Sequence, residues 1–237
     1  PMAANLDYAF LVMSLNDNFN LNRAVRYAAT VLQEGIQPVA VLTKADLCNN
    51  VESLKMQFKQ MLPHIEVHAV SALTGDGMDK LQVYLQPGNT IALLGSSGVG
   101  KSTLVNALAG TEIMKTGEIR EKDAKGRHTT TYREMIELPS GVIVIDTPGM
   151  REIGLCDVDE GIDDTFEDIA ELAAQCRFRD CTHTNEPRCA VRQALENGQL
   201  SKERFELYRS LHVESRKSAD MKAIAKARKA LNKTRKK

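Results

Sequence analysis

Eight consecutive residues, Gly95-Ser96-Ser97-Gly98-Val99-Gly100-Lys101-Ser102, constrain this chain more than any other stretch. They fit the pattern G-x-x-x-x-G-K-[ST] at each fixed position, and their setting gives the match its meaning. Residues 90–94 before them, Thr-Ile-Ala-Leu-Leu, predict a short buried strand, and residues 103–108 after them predict the first turns of a helix. A strand, loop and helix in this order turn successive backbone N–H groups toward one centre, where the helix dipole adds its positive end. Lys101 then reaches outer phosphates, the Ser102 hydroxyl completes a magnesium shell, and Thr103 sits on the same cradle. Alone, the loop specifies a nucleoside triphosphate without choosing its base.

The flanking chain repeats the same alternation. Apolar runs at 6–15, 38–43 and 65–70 predict strands, and helical rhythm at 20–34, 53–62 and 77–85 predicts the helices between them. Residues 130–138 and 142–146 predict two adjacent strands, and the polar, aperiodic stretch 113–125 a mobile loop. Strands alternating with helices imply a mainly parallel sheet covered on both faces, an α/β fold.

Two strand ends carry further chemistry. Residues 143–145 are apolar and lead into Asp146-Thr147-Pro148-Gly149, where the aspartate can hold a magnesium shell and the Gly149 amide can sense a third phosphate. A plain strand-end turn has the same pattern. The strand at 38–43 ends in Thr43-Lys44-Ala45-Asp46. A carboxylate there accepts from N1–H and the 2-amino group of guanine, a donor pair that adenine lacks. The Lys44 stem can lie along the base plane, and Ser71-Ala72 after the next strand can offer a backbone N–H to the guanine oxygen. The T-K-x-D segment is weak by itself; together the strand-end motifs favour guanine over adenine.

Charge is balanced overall, with 31 basic and 31 acidic side chains, but unevenly laid out. Residues 221–237 hold eight basic side chains and no acidic one, so the first 220 residues carry 23 basic against 31 acidic. Eight acids and no base lie between 157 and 171, the pattern of a solvated face. A basic end on an acidic body points toward a nucleic-acid surface. Helices are predicted at 166–174, 189–197 and 202–215, with a tail from 221 that frays without a partner. No run of about 18 apolar residues occurs, which gives a cytoplasmic protein with no membrane partner as the expectation.

Of five cysteines, three fall close together with a histidine: Cys176, Cys181, His183 and Cys189. Three thiolates and one imidazole make a closed tetrahedral zinc set, a structural site. The spacing departs from common finger patterns, and a group of reduced, partly buried cysteines is the other reading. Cys48 and Cys156 are expected as small apolar fillers. Arg177, Arg179, Arg188 and Arg192 surround the four, suited either to structured RNA or simply to solubility.

The base-reading segments precede the phosphate loop, whereas GTPases as a class carry them after it. With that order, Asp7 to about Cys189 resembles the circularly permuted ribosome small-subunit-dependent GTPase A family. The likeness rests on Asp17-Asn18-Phe19-Asn20-Leu21-Asn22, Thr43-Lys44-Ala45-Asp46, Ser71-Ala72 and the phosphate loop. It continues through Gly126-Arg127-His128-Thr129-Thr130-Thr131, Asp146-Thr147-Pro148-Gly149 and the cysteine cluster. The resemblance implies a P-loop GTPase fold, circularly permuted, at 1–155, a small C-terminal helical zinc-binding domain at 156–220, and a flexible basic tail at 221–237. It further implies GTP or GDP with Mg2+ and Zn2+ as cofactors. The small ribosomal subunit and its rRNA are the implied partners, late subunit maturation the implied role, and the chain is taken as a monomer. An N-terminal oligonucleotide-binding barrel usual in the family is expected to be missing here.

The resemblance makes 126–131 a first switch, with Thr130 or its neighbour Thr129 closing on magnesium. Met150 stands where many small GTPases place a water-orienting glutamine, so slow intrinsic turnover is expected, with activation by a partner. His128 is the nearby group able to exchange protons and is the candidate to orient the water, with Lys101 and Thr130 as its catalytic companions. A structural or RNA-facing His128 is the alternative. Against the GTPase stand a nucleotide-gated RNA-binding module with incidental turnover and an ATPase.

Overall fold

A computed structural model describes residues 5–16, 18–114, 134–146 and 158–234, with side chains described through residue 224. The chain divides into two compact units, Pro1–Glu152 and Ile153–Lys237.

Among the described residues the first unit has six strands: β1 (Tyr8–Ser14), β2 (Gln37–Thr43), β3 (Glu66–Ala69), β4 (Thr90–Leu94), β5 (Glu134–Glu137) and β6 (Ile143–Asp146). Their order is β3-β2-β1-β4-β6-β5. All neighbours run parallel except β5, which pairs antiparallel with β6 at the edge. Because β1 is buried on both faces, its sequence is a continuous apolar run rather than an alternation. Phe10, Val12, Val39, Val41, Ile91, Leu93 and Val144 enter one core together with Leu104 and Val105. Residues of opposite parity, among them Ala9, Leu11, Met13, Ala40 and Leu42, are also fully or almost fully buried.

Among its described residues this unit has three α-helices: α1 (Leu21–Leu32), α2 (Val51–Met61) and α3 (Lys101–Ala109). The α1 helix begins where the Asn20 side chain accepts from the Arg23 amide at 2.9 Å, and it buries Ala24, Val25, Ala28 and Val31. Residues 77–85, expected as an ordinary helix, form a 3-10 helix from Met78–Tyr84. Its bonds span three residues, as from the Lys80 amide to the Gly77 carbonyl at 3.2 Å and from the Leu85 amide to the Gln82 carbonyl at 3.1 Å. The expected loop 113–125 beyond Met114, and residues 130–133 of the expected strand, lie outside the described residues.

The second unit contains α4 (Asp159–Thr165), α5 (Glu167–Ala174), α6 (Ala190–Glu196) and α7 (Lys202–Thr234). Its core is Val158, Ile162, Phe166, Ile169, Val191, Ala194, Leu200, Phe205 and Leu211. The sequence reading ended the last helix at 215 and expected a frayed tail from 221; α7 instead runs on to Thr234. Residues 221–234 are dominated by Ala, Lys, Arg, Leu and Met, the strongest helix formers, and contain no Gly or Pro.

The acidic run, expected as a solvated face, is one only in part: Glu160, Asp164, Glu167 and Glu171 are exposed, whereas Asp159, Asp163 and Asp168 hold α7. Arg204, 5% exposed, bonds Asp168 and lies over the Phe166 ring with its guanidinium carbon 4.8 Å from the centroid. His212 contacts Asp159 Oδ1 through Nδ1 at 2.8 Å and Asp163 Oδ1 through Nε2 at 3.0 Å, and the Tyr208 hydroxyl donates to Asp163 at 2.9 Å. Burial alone would depress the His212 pKa, but the hydrogen bonds and charges of Asp163 and Asp159 outweigh it and raise the value. Burial would raise Asp163, and the bonds from His212 and Tyr208, with the charges of His212 and Arg216, bring it below the usual value.

These shifts fix the sign of a pH dependence. The His212 contribution is complete below the ordinary histidine value of 6.5 and is lost as pH rises through the higher folded value. The Asp163 contribution is present above 3.8 and lost as pH falls through its lowered value. His212→Ala is expected to destabilise this unit by about 1 kcal/mol near pH 5.5, allowing for screening of the half-exposed carboxylates. Melting temperatures taken from pH 5.5 to 9 should show wild type and variant converging at high pH. A constant gap would mean that the bonds, not the charge, hold α7.

Candidate nucleotide site and cysteine cluster

The motif-bearing segments collect at one edge of the sheet because β1, β2, β3, β4 and β6 are parallel and share their C-terminal ends. Chain progression reverses between β1 and β4: β1 to β3 extend one way and β4 to β6 the other. Such a switch point opens the crevice in which doubly wound sheets bind ligands. Loop 95–100 rises from β4 at that point and enters α3.

Close approach explains the first glycine of the loop. A Cβ on Gly95 would stand 2.5 Å from the Val12 carbonyl oxygen, so only glycine lets the loop start against β1. Gly100 has φ of 92° and caps α3, a conformation that L side chains avoid. Lys101 is 4% exposed and turns its ammonium onto the carbonyls of Gly95 at 2.9 Å and Ser96 at 3.3 Å. Ser102 follows, half-buried in the first turn, with Thr103 exposed beside it.

The end of β2 braces this loop across β1. Thr43, 3% exposed, places its hydroxyl 2.5 Å from the Val99 carbonyl and 3.2 Å from that of Met13. Lys44, left-handed at φ 59°, donates from Nζ to the Gly98 carbonyl at 2.9 Å. Its turn leads into the short 3-10 helix Ala45–Leu47, which leaves Asp46 exposed at the same edge. Next to it, the buried Ser71 amide donates to the Asp76 carbonyl at 2.9 Å, and the Ser71 hydroxyl accepts from the Thr74 amide at 3.1 Å. Ala72 follows, half-buried.

Asp146 ends β6 at 6% exposure, and its Oδ1 is buried with no hydrogen-bond partner among the described residues. An unsatisfied buried carboxylate oxygen is costly, and a divalent cation shell is the kind of partner that relieves it. With the Ser102 hydroxyl, the residues present fit magnesium. His128, Thr129, Thr130, Gly149 and Met150 lie outside the described residues. Sequence reasoning missed Arg23 of α1, whose Nη1 donates to the Ser96 hydroxyl at 3.2 Å. Nothing in a linear pattern pairs residues 73 positions apart.

In the second unit, the ligand atoms of Cys176, Cys181, His183 and Cys189 lie within 4.8 Å of one another. His183 Nδ1 is 3.3 Å from Cys189 Sγ and 3.6 Å from Cys176 Sγ. Cys176 follows α5, and Cys189 caps α6, accepting the Arg192 amide at 3.4 Å. Desolvation, with the Cys189 and Cys176 sulfurs alongside, pushes the Cys181 thiol up to about 11. Burial lowers the His183 pKa and favours the neutral imidazole that ligates metals. A divalent cation would let the crowded thiols ionise, so the donor set fits tetrahedral zinc. The intervening loop is tied by Glu186, which accepts from the Thr182 hydroxyl and from the amides of Thr182, Thr184 and Asn185. Those bonds lower its pKa to about 2.

A sequence model of the RsgA GTPase family matches residues 1–156. The chain belongs to that family. Small ribosomal subunit biogenesis GTPase RsgA 2 of Vibrio parahaemolyticus is 51% identical over 210 residues, covering 89% of this chain and 59% of the relative. RsgA 1 of Listeria innocua is 47% identical over 227 residues, covering 96% of this chain and 66% of the relative. The chain thus spans roughly three-fifths to two-thirds of the length of these curated relatives. Among solved structures, YjeQ from Thermotoga maritima superposes with a TM-score of 0.66 at 28% identity, covering 89% of this chain and 71% of that one. YloQ, described as a circularly permuted GTPase, gives 0.65 at 28% identity, covering 90% and 69%. The fold is that of the circularly permuted GTPases, as the order of strand-end motifs leads one to expect.

Elemental analysis of purified protein is expected to find about one zinc per chain, given the closed Cys3His donor set. Cys189→Ala should lose the metal and lower the melting temperature of the helical unit. A metal-free wild type with unchanged stability would make the cysteines ordinary thiols.

Proposed function

We propose that the chain is a GTPase that hydrolyses GTP to GDP and phosphate, is stimulated by the small ribosomal subunit, and acts in the late maturation of that subunit. The observation that carries the reading is the convergence of Thr43-Lys44-Ala45-Asp46, the phosphate loop and Asp146, whose buried Oδ1 has no hydrogen-bond partner among the described residues, at one sheet edge in a chain of the RsgA GTPase family.

In this reading Asp46 accepts from N1–H and the 2-amino group of guanine, and the Lys44 stem lines the base. The Ser71 amide is engaged by Asp76, so donation to the guanine oxygen falls to Ala72. The amides of Gly95, Ser96, Ser97, Gly98, Val99 and Gly100 and the first turn of α3, including Thr103, cradle the phosphates. Lys101 leaves the loop carbonyls for phosphate oxygens, and Ser102 and Asp146, with Thr130, hold magnesium. When bound, magnesium neutralises charge on the outer phosphates. His128 orients the attacking water, and Gly149 senses the third phosphate.

Zinc on Cys176, Cys181, His183 and Cys189 holds a rigid knob. Arg177, Arg179, Arg188 and Arg192, with the basic end of α7, form the surfaces for rRNA. A monomer acting in the cytoplasm suits this reading, and no described helix is long and apolar enough to cross a membrane.

Multiple-turnover hydrolysis with and without small subunits tests the proposal. Stimulation above about tenfold, roughly 1.4 kcal/mol of barrier, is expected. Tight nucleotide-dependent subunit binding without stimulation would favour an RNA-binding module instead. Asp46→Asn should weaken GTP binding by about 100-fold or more and leave ATP binding unchanged, since the exchanged amide opposes guanine donors with a donor. Equal loss for both nucleotides would remove Asp46 from the base site.

A further inference from the structure

Arg23 is a cation of the first unit that touches the phosphate loop without a role in the reading above. Its side chain leaves the first turn of α1, where Asn20 caps its amide at 2.9 Å, and ends on the phosphate loop with Nη1 3.2 Å from Ser96 Oγ. One turn further along α1, Tyr27 is 1% exposed, and burial raises its pKa while the Arg23 charge works the other way. The Arg23 side chain thus leaves a capped helix start, near enough to buried Tyr27 for its charge to be felt there.

Lys101 approaches the same loop residue from within. Its Nζ is 3.3 Å from the Ser96 carbonyl, while Arg23 holds the Ser96 hydroxyl. Two side-chain cations thus converge on Ser96 and are met there by neutral oxygens. Among the described residues no carboxylate pairs with Arg23. A guanidinium held only by a hydroxyl makes a weak bond and keeps four further N–H donors for a planar, bidentate acceptor. Arg23, met by a neutral hydroxyl beside a loop whose N–H groups turn toward one centre, is thus placed to take a planar anion.

We propose that Arg23 is a specificity-determining residue for the third phosphate, donating to its oxygens from α1 when a nucleoside triphosphate occupies the loop. The inference rests on the nucleotide reading above and adds to it a contact made by a segment that comes before every other part of that site in the chain. A diphosphate ends one phosphate short and leaves Arg23 on Ser96. The contact thus favours GTP over GDP and adds positive charge where negative charge accumulates as the terminal phosphate transfers.

Binding of fluorescent GDP and of a non-hydrolysable GTP analogue to the full chain, wild type and variants, decides the matter. Arg23→Ala is expected to weaken the triphosphate analogue about tenfold or more and GDP by less than about threefold, as loss of a charge-assisted bond to one phosphate predicts. Arg23→Lys keeps charge without the bidentate fork and should fall between the two. Should Arg23→Ala fail to fold, Arg23→Gln and Arg23→Lys carry the same comparison. Equal weakening of both nucleotides would make Arg23 a brace for the loop, and unchanged affinity for both would remove it from the site. Either result overturns the inference while leaving the guanine-nucleotide reading standing. A wild-type chain that binds neither nucleotide overturns the guanine reading itself.

Discussion

The approach of Gly95 to the Val12 carbonyl is the constraint on which the first unit depends. A side chain at residue 95 would meet that oxygen at 2.5 Å, so the phosphate loop rests on the backbone of the central strand only because glycine is there. Once seated, the loop is gripped from three directions. Thr43 holds the Val99 carbonyl, Lys44 the Gly98 carbonyl and Arg23 the Ser96 hydroxyl. Backbone carbonyls turned outward to side chains leave the amides of the same loop turned inward, which is the geometry an anion needs.

The Thr43 and Lys44 contacts also join two tasks that the sequence lists separately. Thr43 and Lys44 belong to the segment proposed to read the base, yet in the structure their side chains end on the phosphate loop. Strand β2 is not a neighbour of β4 in the sheet; β1 lies between them. The reach across β1 means that anything which shifts the end of β2 also shifts the Val99 and Gly98 carbonyls. If the segment reads the base as proposed, occupancy there would reach the phosphate loop through these two hydrogen bonds.

How much of this was legible beforehand follows from the range of each interaction. Strands and helices near residues 8, 21, 37, 51, 90 and 143 were evident because continuous apolar runs and helical spacing are local signals. The phosphate loop and the Cys3His cluster were visible because their residues are close in sequence. Arg23 was not, since its partner lies 73 residues away and arginine on a helix surface is ordinary. The carboxylates of the acidic run failed for the same reason. Composition shows that Asp159, Asp163 and Asp168 are acidic, but only folding reveals that α7 returns His212 and Arg204 to meet them. Helical spacing does not distinguish the 3-10 winding at Met78–Tyr84, and the thin apolar stripe after residue 221 hid a helix that the strong helix formers there carry to Thr234.

Circular permutation costs such a site little, for a reason the sheet makes plain. Each strand that contributes to the site does so from its C-terminal end, and parallel pairing places those ends together whatever their order along the chain. Joining the old termini and opening a new break changes which strand comes first, not which edge collects the loops. The permuted order has one local consequence. Strand β1 and helix α1, which precede every recognisable nucleotide motif, become the central strand under Gly95 and the helix that carries Arg23. The opening of this chain is therefore no lead-in to the nucleotide site. It supplies the floor beneath the phosphate loop and, in Arg23, a cation at its wall.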